Sequence, residues 1–311
     1  MSVFFIALTA VAVLLATAVP GYLLAKRKMV SEECIPGFSK VLLYVCQPCL
    51  TVYSFRTTTY TPDLLGRVGI FALLCLVIQG VMLASAFLVF RHKYKEPVYR
   101  IITVATTFGN CAFFGIPIIE ALLPEMASDL ILYTAVYSFV MNLIGWTVAS
   151  AIITGDTKYI NFKKVVCNPT VFGMAAAMIL FIGKVPLPDK VEDMITLIAR
   201  MSTPLSMLIM GMRLATMKLE TVFTQPRAYM TIGIKQFLMP LLAFLFMLIV
   251  PVDVSVKQTF FIICACPVAS VVLNYSEILG AGQEDAAVML LLGTMSSIVT
   301  LPIVVLLLPL L

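Results

Sequence analysis

Apolar runs of bilayer-spanning length follow one another along the whole chain, and this leaves few options for its fold. They cover about 3–25, 38–55, 64–90, 98–122, 130–154, 165–183, 191–212, 226–250, 255–279 and 285–310. A spanning helix needs roughly 20 apolar residues. Inside lipid, every backbone polar group must find its partner within the protein. The expected fold is therefore all-α and integral to a membrane, with ten transmembrane helices. Charge supports this. Of 311 residues, 12% are charged and 61% hydrophobic, against roughly 25% charged in a soluble domain. No polar stretch is long enough for a separate soluble domain. The first run has no basic residue ahead of it and is followed by Lys26, Arg27 and Lys28, the pattern of a first span rather than a cleaved signal.

The net charge of +5 does not point to nucleic acid, because the basic residues lie in the gaps between runs and not on one face. Their distribution sets an orientation. Lys26, Arg27, Lys28, Arg91, Lys93, Lys95, Arg100, Lys158, Lys163, Lys164, Arg213, Lys218 and Arg227 follow odd-numbered runs. Only Arg56, Arg67, Lys184, Lys190 and Lys257 follow even-numbered ones. The positive-inside rule then places both termini outside, in a plasma (cytoplasmic) membrane.

An internal repeat is visible. The second run carries Gln47-Pro48-Cys49-Leu50 and ends near Arg56; the seventh carries Thr203-Pro204-Leu205 and ends near Arg213. The fourth holds Gly115-Ile116-Pro117 and the ninth Cys266-Pro267-Val268. Each second-half proline follows its counterpart by about half the chain. Five helices per half is an odd number, so the second half enters the membrane inverted, a common build among secondary transporters. The expected units are residues 1–155 and 165–311.

The most informative segment is Thr107-Phe108-Gly109-Asn110-Cys111-Ala112-Phe113-Phe114-Gly115-Ile116-Pro117. Proline removes a backbone donor and clashes with the preceding turn. Two glycines and an asparagine weaken the helix further. An interruption at membrane depth is tolerated only where it is buried in protein or lines a cavity. Pro117 suits the first position of a new half-helix, whose positive end would then point at the bilayer centre. Pro267 repeats the arrangement. If the two interruptions meet, two positive helix ends converge on one anion site. Ordinary proline kinks are the alternative.

These stretches, with Asn168-Pro169-Thr170, Pro186-Leu187-Pro188, Ser202-Thr203-Pro204-Leu205-Ser206-Met207 and Gly211, resemble bacterial members of the auxin efflux carrier family. That family includes the plant PIN-type carriers and bacterial malate or malonate permeases. The resemblance covers nearly the whole chain. It implies a fold similar to the bile-acid symporters and sodium/proton antiporters, with the fourth and ninth helices broken and crossing. Scaffold helices would then lie at 3–55 and 165–212, and transport helices at 64–154 and 226–310. The chain departs from the family pattern at Ala112, where glycine is common, and at Lys235, where arginine is common.

The expected substrate contacts are Asn110, Cys111, Gly115 and Pro117, with Cys266, Pro267 and Ser270 opposite them. Asn110 is also suited to tying the broken backbone together. Lys235 or Gln236 in the eighth run would lend a donor. A lysine at that depth is a functional candidate, or else its stem reaches back to the headgroups; Arg200 invites the same two readings. Glu120 could carry a proton or simply face the outer vestibule, and Glu277 lies near the inner interface. Asn142 and Asn274 suit hydrogen bonds between helices, and Asn274 is also a candidate ion ligand. Cys46-Gln47-Pro48-Cys49 has redox spacing, but both thiols sit inside a span, away from the exposed setting such chemistry needs. His92 has no ligand partners nearby in sequence, so neither a metal nor any other cofactor is expected.

The leading expectation is a secondary active transporter of a small organic anion, working by an elevator-type mechanism. The anion would be a carboxylate such as malate or malonate, or an auxin-like indole acid. A proton or sodium ion would be the coupling partner, and a homodimer is a further candidate assembly. The alternatives are a channel or sensor built on a transporter fold, and an integral-membrane enzyme. C-terminal reporter fusions test the topology: the reporter is expected to be active only outside the cytoplasm, and a cytoplasmic C-terminus would overturn both orientation and inverted repeat.

Overall fold

A computed structural model describes residues 2–159 and 169–311. Asn168, Lys163 and Lys164 lie outside the described residues. The helices are α1 (Val3–Lys26), α2 (Glu32–Arg56), α3 (Pro62–Lys93), α4 (Pro97–Thr107), α5 (Cys111–Leu122), α6 (Pro124–Thr154), α7 (Pro169–Ile182), α8 (Asp189–Thr216), α9 (Pro226–Ile249), α10 (Val254–Ala265), α11 (Ser270–Leu279) and α12 (Gln283–Leu310). Among the described residues no strand forms, and seven helices are long and apolar enough to cross a membrane: α1, α2, α3, α6, α8, α9 and α12. The chain is an all-helical, multi-pass membrane protein.

The layering follows from where apolar side chains go. The most apolar stretches of α6 and α12 are 67% and 61% buried, against 22% for α1, so α6 and α12 belong to the interior. On α3, Ile70, Leu73, Val77 and Val81 recur at helical spacing and all face outward. An outward stripe of this kind is stable only against lipid.

Prolines explain most of the local irregularity. A proline ring meets the carbonyl four residues back and offers no N–H. Three wide turns, Leu42–Cys46, Cys111–Gly115 and Ile234–Leu238, each end two residues before a proline: Pro48, Pro117 and Pro240. Widening the helix by one residue relieves the clash and skips the missing bond. A fourth wide turn, Gly145–Ala149, lies against the Tyr275 ring, which fills the space a Cβ on Gly145 would need.

Glycine sets the closest helix contacts. On α1 and α8, a Cβ at Gly21 would overlap the Leu208 carbonyl, and one at Gly211 would overlap the Ala18 carbonyl. Where α7 meets α2, a Cβ at Gly173 would stand 2.8 Å from the Pro48 Cα. Such backbone-to-backbone approach is how small residues join helices in lipid. Gly211→Ala is therefore expected to cost about 2 kcal/mol, read as a lowered Tm in detergent. Gly80→Ala, on α3 with nothing within 4 Å of the added Cβ, is expected to be neutral or to stabilise by about 0.5–1 kcal/mol.

Candidate functional site

Two pairs of short consecutive helices are each separated by a break. After α4 ends at Thr107, α5 begins at Cys111; after α10 ends at Ala265, α11 begins at Ser270. With 11 residues in α4 and 12 in α10, each first half rises roughly 17 Å, about half of a hydrocarbon layer. The two interruptions satisfy each other's backbone. Asn110 N donates to Pro267 O at 2.8 Å and Ala269 N donates to Phe108 O at 3.0 Å, around an antiparallel bridge between Gly109 and Val268. All of these residues are buried, where an unpaired amide or carbonyl would be costly. Only glycine fits at position 109, since a Cβ there would stand 2.8 Å from Ile263 O.

The restart of the first broken helix differs from the expectation built on Pro117. The helix resumes six residues earlier, at Cys111, and Pro117 lies within it after the wide turn. The break is placed by Gly109 and its pairing with the second interruption, not by the donor that Pro117 lacks. The amides of Phe114 and Gly115 already bond Asn110 O, at 3.3 and 3.0 Å. Gly115 instead gives room to Cys266, whose Sγ lies 3.2 Å from where a Cβ would be. The Cys266 Sγ donates to Ile262 O at 3.3 Å.

The structure brings Asn110, Ser270 and Asn274 together. They line two small cavities of about 30 and 20 Å³, one bounded by Ser206 and Met207 of α8, the other by Cys111, Gln47 of α2 and Ser138 of α6. A water needs about 10–15 Å³ of such space, so this chamber of two adjoining cavities admits a few waters and is too small for an organic anion. Asn142 makes the interhelical hydrogen bond expected of it, within a network along the chamber wall whose other members, Gln47, Ser138 and Tyr275, sequence reasoning did not place there. Gln47 Nε2 donates to Ser138 Oγ at 3.3 Å, Asn142 Nδ2 to Ser138 O at 2.8 Å, and Tyr275 OH to Asn142 Oδ1 at 3.1 Å. The signal was present in Ser138 and Asn142, polar residues four apart in an apolar run.

Lys235 and Gln236 sit behind the break and line neither cavity. Both are buried in the wide turn before Pro240. Lys235 Nζ donates to Cys264 O at 2.8 Å and lies next to Gly109, so the ammonium meets the carbonyl end of α10, where a cation is favoured. No acidic side chain pairs with it among the described residues. Gln236 donates to Gly293 O at 2.6 Å and accepts from Ser296 and Thr300 of α12. Glu120 is exposed, outside the chamber, with Arg200 as the opposite charge that acts on it. Toward the other end of α11, Glu277 pairs with Arg213 of α8, and this pair borders open clefts of about 430 and 780 Å³ as well as the chamber.

Asn110, Ser270 and Asn274 of this membrane protein thus meet beside two paired breaks in its helices. A sequence model described as membrane transport protein matches the chain twice, over residues 6–164 and 157–305. The chain belongs to that family, the auxin efflux carrier family, which is a family of transporters and not of enzymes. Comparison with curated proteins gives no match.

The position of Lys235 yields a test. Lys235→Met removes a charged donor from a buried carbonyl, and is expected to cost about 2–3 kcal/mol. The checks are a fall in Tm and faster amide exchange along residues 254–269.

Proposed function

We propose that the protein is a secondary carrier of a small organic anion, and that the anion's carboxylate binds beside the paired breaks. The observation that carries this is the reciprocal backbone pairing of Phe108–Asn110 with Pro267–Ala269, next to a chamber whose polar lining includes Asn110, Ser270 and Asn274. Both second half-helices, α5 and α11, begin there. Each N-terminus supplies about half a positive charge, together with donors that water can satisfy between cycles. A fixed, fully paired cation would be costly when the site is empty. Lys235 supports the break from behind. Cys111 and Ser270 line the chamber wall, and Asn274 or Glu120 would serve a coupling proton or sodium ion.

In this reading each broken pair is one span and α7 is another, giving ten spans in an inverted five-plus-five repeat with the two broken helices crossing. The packing supports it. The backbones of α1 and α8 meet at Gly21 and Gly211, and those of α7 and α2 meet at Gly173. Exchanging α1 with α7 and α2 with α8 turns one contact into the other, as a two-fold relation between halves requires. Helices α3–α6 and α9–α12 would move together against α1, α2, α7 and α8 as an elevator. Both termini would lie outside the plasma membrane. The narrowness of the space beside the breaks, against the open clefts next to it, supports a carrier over an open channel.

Uptake of labelled malate, malonate and indole-3-acetate into proteoliposomes, with and without sodium and proton gradients, tests the class. At least one carboxylate should show saturable uptake that excess unlabelled compound chases; absence of saturation for all three would defeat the carrier reading. Within that assay, Asn110→Ala is expected to lower uptake about tenfold, the loss of one charge-assisted hydrogen bond. Asn110→Asp should lose more, through repulsion of the anion. An Asp variant as active as the parent would remove Asn110 from the site.

A further inference from the structure

The Arg213–Glu277 pair lines both open clefts and the small chamber beside Asn110. Ser206, Met210 and Arg213 line the chamber from α8, and Ser270, Asn274 and Glu277 line it from α11. Both sets recur at steps of four and then three residues, the spacing of a single helix face. A polar stripe on α11 therefore faces a mixed one on α8, where Met210 lies between Ser206 and Arg213, and both run about 10 Å from the break to the ion pair. Arg213 and Glu277 also line the two larger clefts. Their side chains are 17% and 24% exposed, whereas Glu32, 3.9 Å from Arg213 on its other side, is 66% exposed.

We infer that Arg213 is an anion subsite at the mouth of the pathway, and that the Glu277 carboxylate holds it in the closed state in place of a substrate carboxylate. The ligand class is a carboxylate. A guanidinium presents a planar fork of donors that matches a carboxylate at two points, and Glu277 is itself a carboxylate brought to that fork on α11. Arg213 and Glu277 belong to the two groups of helices that the carrier reading moves apart, so their pairing also latches those groups together. An arriving carboxylate that takes Glu277's place satisfies Arg213 while releasing α11. The inference rests on the carrier reading for the direction of travel from cleft to chamber, but the subsite is defined by the ion pair itself.

Competition makes this measurable. While Glu277 occupies the fork, apparent affinity for an external carboxylate is reduced by the fraction of time Arg213 is free. Titration calorimetry of the purified full-length protein with malonate and with benzoate, at ionic strength held constant with chloride, reads that reduction. Glu277→Gln and Glu277→Ala are each expected to bind both probes at least about fivefold more tightly than the parent. Adding Arg213→Gln should abolish the gain. Glu32→Gln should leave parent affinity unchanged. Equal affinity in the parent and both Glu277 variants overturns the proposal, as does absence of carboxylate binding to both, or a gain that survives in Arg213→Gln/Glu277→Gln. The two readings fail separately. A fivefold gain without carboxylate uptake in proteoliposomes defeats the carrier and leaves the subsite. Asn110-dependent uptake without any gain defeats the subsite and leaves the carrier.

Discussion

Two hydrogen bonds, from Asn110 N to Pro267 O and from Ala269 N to Phe108 O, let two helices end and restart inside the buried interior. A helix that breaks there alone leaves several amides and carbonyls with no water to turn to. Two breaks facing each other in antiparallel register supply partners for both. The rest of the centre follows from this exchange. It fixes where α5 and α11 begin and where their positive ends point. It also brings the carbonyl end of α10 within reach of the Lys235 ammonium. Gly109 makes the approach sterically feasible, because the Ile263 carbonyl and the Lys235 side chain leave no space for a Cβ.

The surrounding helices are shaped by prolines placed near polar residues. In the turns before Pro48, Pro117 and Pro240, the widened backbone brings Gln47, Cys111, Lys235 and Gln236 inward. A regular helix would present a different set of side chains at the same depth, since one extra residue per turn rotates everything after it. Proline thus acts here less as a helix terminator than as a means of aiming side chains. The glycine contacts of α1 with α8 and of α7 with α2 do the complementary work, letting backbones touch so that α1, α2, α7 and α8 hold together without large side chains between them.

The chamber and the ion pair adjoin each other. The space beside Asn110 has room for a few waters, while the clefts beyond Arg213 and Glu277 are an order of magnitude larger. Closure between a small buried site and an open vestibule is what a carrier requires and a continuously open pore does not. In a partly buried setting, a charge pair is a two-state element. It is stable when made, and costly to break unless another charge replaces one partner. That makes it responsive to an anion in a way that an apolar plug would not be.

How much of this was legible in the sequence depends on the range of the physics involved. The seven long apolar helices and the two interrupted segments were readable, because hydrophobic length and the Gly/Pro content of residues 107–117 and 266–270 act locally. Membership of a transporter family followed from motifs in order along the chain. The start of α5 was misplaced to Pro117 because proline is the loudest local signal, whereas the break is decided by pairing with a segment more than 150 residues away. Lys235 was assigned toward the substrate because its depth was visible and its partner, Cys264 O, was not. Arg213 and Glu277 read singly as a loop cation and an interfacial acid; only their meeting across two helices makes them a pair. Sequence alone determined that the chain crosses the membrane many times and is weakened at two places. The tertiary structure decided which groups those weak places face, because hydrogen bonds and ion pairs between distant helices depend on angstrom-scale approach that no local pattern encodes.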